Sequence, residues 1–435
     1  MTDISGIPYV EARFDKNGAL ESPVTLPDGV TDLFVMSHGW NNSADDARNM
    51  YRAFFTNFVE VGAPNDLPGR RFGIVGVIWP SKKFDELVAV AGQAGDAQGS
   101  ASLGAADDRS RRALDEKLDR MKELFADPEQ QKILEEAQAL VSELEDSASA
   151  RRAFVDTIRS LLDPSAANKE DASLTFFKSD GNELMDNLKV DEEDLDPEVA
   201  GSTDGSASLP LGVGSTGLET GGAAGLRESL SGFKASAMNV LNFTTYYEMK
   251  ARAGTVGKNG VAKLVDELAL KVERIHLVGH SFGGRVVAAT AANSTTNKIK
   301  SLSLLQTAFS HNGFSKTMNG FFRSVVDQQR VGGPILVTHT PNDKAVGVAY
   351  PLASRIIGDK AAAFGDKDDV FGGLGRNGVQ QMQNGETIEG TLLEAGASYA
   401  FRAGVFFNLE ASDFIKSHGD VTGKQIAHAV RTAIA

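Results

Sequence analysis

The sequence predicts an α/β fold with a mostly parallel sheet, interrupted by a long helical insertion. Apolar runs alternate with helical segments near both ends of the chain, and these runs are apolar throughout. No comparable run occurs between residues 82 and 238. Continuously apolar strands are typical of a parallel sheet that helices cover on both faces. A chain of 435 residues also exceeds what one hydrophobic core usually organises.

The N-terminal part reads strand, helix, strand. DLFVMSHGW, from residue 32, is an apolar run that ends in turn residues, and FGIVGVIWPS, from residue 72, is a second run that Pro80 ends. Between them, apolar residues recur at helical spacing: Ala47, Met50, Phe54 and Phe58. Ser43 or Asp45 is the predicted cap of this helix.

The predicted insertion, residues 91–237, is helical and acidic. Three apolar stripes indicate three amphipathic helices with charged outer faces. The stripes span residues 114–125, 133–144 and 154–162. A Gly/Ser-rich segment near residues 199–225 is predicted to be mobile, because its composition buries too little apolar surface to order itself. Residues 1–90 and 238–435 form the predicted core.

Strands and helices alternate again beyond residue 238. GVAKLVDELAL, GRVVAATAAN and the closing TGKQIAHAVRTAIA predict helices. The predicted strands lie in VERIHLVG, IKSLSLLQTA, PILVTHTPND and YAFRAGVFFNLEAS. In an open α/β sheet the loops at the carboxyl ends of the strands surround the active site, so the polar residues that follow these runs are its candidates.

The segment Gly279-His280-Ser281-Phe282-Gly283 has the pattern G-x-S-x-G, after a predicted strand and before a predicted helix. Such a tight turn strains the serine backbone and exposes its Oγ, while the glycines let the neighbouring strand and helix approach. The helix N-terminus adds positive potential where an oxyanion would form. Ser281 is therefore the predicted nucleophile.

A nucleophilic serine needs a base, and the base needs an orienting acid. His418 lies between the last predicted strand and the last helix, where a loop returns over the carboxyl edge of the sheet; His311 and His339 are alternatives. The acid precedes the histidine in this chain order. Asp343, in a turn after a strand, is the predicted acid, and Asp413 is the alternative.

Acyl transfer also needs hydrogen-bond donors for the oxyanion. One predicted donor is the backbone N–H of Phe282, directly after the nucleophile. The other is the backbone N–H of Trp40 in SHGWNNS, where Gly39 allows close approach; Asn41 is a further candidate. Six aromatic residues fit an acyl pocket and an ordinary core equally well: Trp40, Phe282, Phe309, Phe314, Phe321 and Phe322.

Composition argues against several classes of protein. A net charge of −14 disfavours nucleic-acid binding, and the absence of cysteine excludes disulfides and thiolate chemistry. No His, Asp or Glu cluster has metal-ligand spacing, and GGLGRNG follows no predicted strand, so we expect no metal and no cofactor. The first residues show no secretory signal, and no run of about 18 apolar residues exists. We therefore expect no transmembrane segment and a cytoplasmic location, with non-classical secretion left open.

SHGWNN, GHSFGG, PND and SHGD, in this order, resemble the α/β-hydrolase superfamily over roughly residues 30–90 and 240–435. HGWNNSADDA followed by IWPS is similar to a bacterial subgroup of that superfamily. The resemblance implies an eight-stranded, mostly parallel sheet and ester hydrolysis through a catalytic triad, here Ser281, Asp343 and His418. In this superfamily a long insertion often forms a lid.

The sequence thus predicts a serine hydrolase of the esterase or lipase type, acting on a small-molecule or lipid ester. Two alternatives stay open. One is a phospholipase-type secreted effector with the same chemistry, and the other is a non-catalytic binding protein on the same fold.

If the insertion is a lid over Ser281, its removal changes substrate preference. Replacing residues 105–225 with a short Gly/Ser linker should abolish activity on long-chain esters, because an apolar, water-poor cleft is lost. Hydrolysis of p-nitrophenyl esters of graded chain length measures this, and labelling of Ser281 by a small fluorophosphonate is the control for folding. An unchanged chain-length preference in the labelled deletion would show that the insertion is not a lid.

Overall fold

The computed structural model describes residues 2–62, 66–81, 103–167, 171–188, 232–343 and 371–435. The chain divides into two compact units. Among the described residues, the first unit consists of 2–62, 66–81, 249–343 and 371–435, and the second of 103–167, 171–188 and 232–248. The segment near residues 199–225 that we predicted to be mobile lies outside the described residues.

A nine-stranded sheet forms the centre of the first unit. Its strands are β1 (Thr2–Ile4), β2 (Ile7–Arg13), β3 (Asp32–Ser37), β4 (Phe72–Ile78), β5 (Arg274–His280), β6 (Ile299–Leu305), β7 (Ile335–His339), β8 (Thr387–Thr391) and β9 (Phe406–Glu410). They lie in the order β1-β2-β4-β3-β5-β6-β7-β9-β8, and all neighbours are parallel except β1 and β2. The predicted α/β class with a mostly parallel sheet is confirmed.

The expected number of eight strands is wrong, since the described residues already contribute nine strands to the sheet. The six apolar runs of the sequence form β3 to β7 and β9. Of the three strands that the sequence did not indicate, β1 and β8 are the edge strands and β2 is next to β1. Strands at or near an edge need no continuous apolar run: β2 mixes buried and half-buried residues, and β8 has no buried residue.

The four helices predicted for the first unit are present at Ala44–Glu60, Ala262–Leu268, Phe282–Asn293 and Lys424–Ala433. The described part of this unit also contains the end of the helix Gly232–Thr255, a π-helical turn at Val256–Val261, and two short helices that the sequence did not indicate, Arg323–Asp327 and Leu374–Asn377. Of the two candidate caps, Ser43 starts the first helix, because its side chain accepts the Asp46 N–H at 3.1 Å in a capping box.

Both faces of the sheet are buried. Phe34 and Met36 of β3 share a hydrophobic cluster with residues of helices Ala44–Glu60 and Lys424–Ala433. Leu33 and Val35 point to the opposite face, because side chains alternate along a strand, and both are 0% exposed. Because both faces of the sheet are covered, the sheet can contribute to a ligand-binding site only at the ends of its strands. The carboxyl ends of β3, β5, β6 and β7 lie next to one another.

The second unit is helical. Its described elements are Leu103–Leu124, Pro128–Leu140, Val141–Glu143, Ala148–Arg159, Pro164–Ala166, Ser173–Lys178, Gly181–Asn187 and the first part of Gly232–Thr255. The three amphipathic helices are confirmed, and their stripe residues Leu118, Leu134 and Phe154 are 0% exposed. The helix that begins at Gly232 crosses the boundary predicted at 237/238, and the Glu145 carboxylate accepts its Phe233 and Lys234 N–H groups at 3.2 and 3.0 Å.

No helix of the described ranges combines the length and the apolar character that crossing a membrane requires.

Candidate active site

Ser281 occupies the turn between β5 and the helix Phe282–Asn293 with a left-handed backbone, φ 55° and ψ −126°. Its N–H donates to the Leu305 carbonyl at 3.2 Å. Its own carbonyl accepts the Gly284 and Ala308 N–H groups at 3.0 and 3.2 Å. Bonds to the end of β6 and to the following loop therefore hold a conformation that an L-residue rarely adopts.

Glycines make this turn possible. A Cβ on Gly39 would lie 2.5 Å from Ser281 Cβ and 3.0 Å from its Oγ. A Cβ on Gly279 would lie 2.6 Å from Gly284 Cα, and one on Gly283 would collide with the Ser37 carbonyl oxygen. The loop after β3 thus packs directly against the serine, and none of these three positions has space for a side chain.

Asp343 and His418 form a buried pair at the carboxyl edge of the sheet. Asp343 follows β7 and is 0% exposed, and His418 follows β9 and is 4% exposed. His418 Nδ1 lies 2.8 Å from Asp343 Oδ2. A carboxylate accepts hydrogen bonds, so Nδ1 carries the proton and Nε2 has its lone pair available for a proton from another group.

His280 connects this pair to the serine. Its Nε2 donates to the His418 carbonyl at 2.9 Å, and the two imidazole centroids are 4.9 Å apart. Because His280 directly precedes Ser281, the His418 backbone is anchored beside the turn. Among the described residues no hydrogen bond joins Ser281 Oγ to His418; such contacts often tighten only when substrate binds.

The alternatives weighed from the sequence lie elsewhere. Asp413 is exposed, and His418 bonds to Asp343 instead. The His311 ring bonds with the Gly372 N–H and the Asn377 side-chain amide, so it connects its loop to the segment 372–377. His339 is buried within β7.

Trp40 and Phe282, the predicted oxyanion donors, lie next to each other, with ring centroids 5.9 Å apart. The backbone N–H of Asn41 is already used, because it donates to the Ser81 carbonyl at 2.9 Å. The backbone N–H of Trp40 has no acceptor among the described residues. Of these two loop residues, Trp40 is therefore the one whose N–H can serve a ligand.

The segment after β4 braces the loop that carries Trp40. The Trp79 indole donates to the His38 carbonyl at 3.0 Å, and its ring stacks on the His38 imidazole at 5.7 Å. The Ser81 hydroxyl donates to the Asn42 carbonyl at 2.9 Å. Through these contacts the segment IWPS supports the HGWNN loop.

Gln306 is a residue that the sequence analysis missed. It follows β6, is 0% exposed and has a φ of 42°. Its Nε2 donates to Asp343 Oδ2 at 3.2 Å and to the Gly375 carbonyl at 3.0 Å. Gln306 therefore holds the same carboxylate oxygen that His418 contacts. A lone glutamine after a strand has no pattern that would have revealed this contact.

Backbone strain concentrates at this edge of the sheet. Asn41, Ser281 and Gln306 have φ values of 64°, 55° and 42° and follow β3, β5 and β6, which are adjacent strands. Non-glycine residues in such conformations cluster at functional sites, where surrounding bonds maintain them.

Two further buried histidines are neutral at physiological pH. Burial, together with the neighbouring His418, lowers the pKa of His280 to about 3. Burial lowers the pKa of His38 to about 4. Neither ring therefore brings a positive charge to the neighbourhood of Ser281.

The remaining aromatic candidates divide between core and surface. Phe309, Phe314 and Phe322 are 0% exposed and pack on one another with centroids 5.0 to 5.8 Å apart, so they belong to the core. Phe321 is 52% exposed. Within the described ranges, no group of three or more His, Asp or Glu side chains is placed to hold a metal ion.

In comparisons with known proteins, the chain matches no family model, no curated protein and no solved structure at a significant level.

The buried histidines make a prediction about acid stability. A histidine of the unfolded chain binds a proton near pH 6.5, whereas His280 in the folded protein binds one only near its pKa of about 3. The contribution of His280 to the stability of the folded protein is therefore fully present above pH 6.5 and is progressively lost as the pH falls below that value. Each such group contributes a slope of about 1.4 kcal/mol per pH unit below pH 6.5. His280→Gln should flatten the dependence of the unfolding free energy between pH 6 and 5 by about that amount, measured by urea denaturation. Measurements at pH 8 give the baseline, and an unaltered slope would contradict a neutral buried His280.

Proposed function

We propose that this protein is a serine hydrolase with an α/β-hydrolase fold, and that it cleaves carboxylic esters through Ser281, His418 and Asp343. One observation carries the proposal. A strained serine at a strand-to-helix turn lies beside a buried His418–Asp343 pair bonded at 2.8 Å, to which His280 connects it. The nucleophile, base and orienting acid of a triad are recognised by these roles rather than by sequence position.

The position of the site in the sheet supports the same proposal. Ser281, Asp343 and the Trp40 loop follow β5, β7 and β3 at the carboxyl ends of parallel strands. Open α/β sheets bind their ligands at this edge. The helix Phe282–Asn293 also begins at the serine, so its N-terminus directs positive potential toward the reacting group.

In the proposed reaction, His418 Nε2 takes the proton of Ser281 Oγ as that oxygen attacks the ester carbonyl carbon. The carbonyl π electrons move to the oxygen, and the N–H groups of Trp40 and Phe282 stabilise the resulting oxyanion. When the tetrahedral intermediate collapses, the bond to the alkoxy oxygen breaks and His418 protonates the departing alcohol. Water then repeats the sequence on the acyl-enzyme, while Asp343 holds the imidazole in the required tautomer.

The nucleophile can be tested with a fluorophosphonate probe. The probe should label the protein once, and Ser281→Ala should abolish both labelling and ester hydrolysis, measured by intact mass and with p-nitrophenyl butyrate. Ser294→Ala is a matched control at the other end of the same helix, where the hydroxyl donates to Asp266 at 2.5 Å. This control should lose stability and keep its label. Labelling that persists in Ser281→Ala would favour the non-catalytic binding protein instead.

The acid can be tested by comparing two aspartates on the loops that surround His418. Asp343→Asn should lower kcat by about three to four orders of magnitude, because an amide that donates to Nδ1 favours the wrong tautomer. Asp413→Asn should change kcat by no more than about twofold, since that side chain is exposed. A larger loss in Asp413→Asn would show that the wrong carboxylate was chosen.

A further inference from the structure

The two tryptophans of the chain, Trp40 and Trp79, differ in the hydrogen bonding of their indole N–H groups. The indole N–H of Trp79 donates to the His38 carbonyl at 3.0 Å. The indole N–H of Trp40 is buried and has no hydrogen-bond partner within the described part of the chain, and the residue as a whole is 4% exposed. A buried donor without an acceptor is unfavourable and uncommon in native proteins, so this one calls for an explanation.

The location of Trp40 suggests which acceptor its indole N–H would bind. Trp40 follows Gly39, which lies against Ser281 with no space for a side chain. The indole ring lies 5.9 Å from the ring of Phe282, the residue directly after the nucleophile. The unpartnered N–H therefore belongs to a residue on the loop that packs directly against Ser281.

Hydrogen bonds hold the backbone of Trp40 in place. Its carbonyl accepts the Asn42 side-chain amide at 2.9 Å, and the next backbone N–H, that of Asn41, donates to the Ser81 carbonyl at 2.9 Å. A donor on a backbone that is fixed before substrate arrives needs less reorganisation when charge develops, which favours electrostatic stabilisation of a transition state.

We propose that the Trp40 indole N–H donates a hydrogen bond to an oxygen of the tetrahedral centre on Ser281, in addition to the two backbone N–H groups. This inference rests on the proposed function. The ligands that this donor recognises are tetrahedral, oxygen-bearing adducts: the reaction intermediate, a boronate or a phosphonate. The proton stays on the indole nitrogen throughout. A bond that is stronger in the tetrahedral state than with the planar ester raises kcat and leaves KM unchanged.

Trp40→Phe and Trp79→Phe are a matched pair for the test. Trp40→Phe should weaken inhibition by an alkyl boronic acid about 10- to 100-fold and lower kcat in proportion, with the KM for p-nitrophenyl butyrate within about twofold. Trp79→Phe should lower Tm more than Trp40→Phe does, because only Trp79 loses an existing hydrogen bond. The reverse order, with boronate affinity more sensitive to Trp79, would overturn the inference.

A spectroscopic measurement observes the bond itself. Two tryptophans give two indole N–H resonances, which the two variants assign. Fluorophosphonate labelling of the wild-type protein should move the Trp40 resonance downfield and leave that of Trp79 in place. If mass spectrometry shows labelled Ser281 while the Trp40 resonance and the boronate affinity of Trp40→Phe stay unchanged, the inference is wrong and the proposed function stands. If Ser281 takes no label, the proposed function itself fails.

Discussion

Ser281 holds a φ of 55° between β5 and the following helix, and the surrounding chain is arranged to permit that conformation. Gly39, Gly279 and Gly283 remove every side chain that would collide with the turn. The same close packing brings the loop after β3 against the serine, and with it Trp40. One backbone constraint thus sets the position of the proposed nucleophile, of the helix N-terminus and of the proposed oxyanion donor. A methyl group at Gly39 would disturb all of these at once.

The proposed base is placed by neutral contacts as well as by a charge. His418 bonds to the Asp343 carboxylate through Nδ1 and accepts a hydrogen bond from neutral His280 at its backbone carbonyl. Gln306 adds a neutral donor to the same carboxylate oxygen. These contacts fix the His418 imidazole without placing a cation beside it. A positive charge there would oppose protonation of His418 during the proposed reaction.

Local patterns explain which features the sequence could predict. The turn at Ser281 is encoded within five consecutive residues, and six apolar runs gave six strands. Asp343 and His418 are 75 residues apart and were chosen by their places after strands, which the sheet then brings together. The role of Gln306 could not be predicted from the sequence, because it depends on the carboxylate of Asp343, 37 residues later. Strand β8 was not predicted, because it has no buried residue and thus no apolar run.

In the proposed mechanism Ser281 and His418 act as one unit, and the kinetics of a double variant test this most directly. Hydrolysis rates are compared for Ser281→Ala, His418→Ala and the variant that carries both substitutions. If the imidazole acts only through the serine hydroxyl, the double variant is no slower than Ser281→Ala alone. If the two losses multiply instead, the residues contribute independently, and the proposed transfer of a proton from Ser281 to His418 is contradicted.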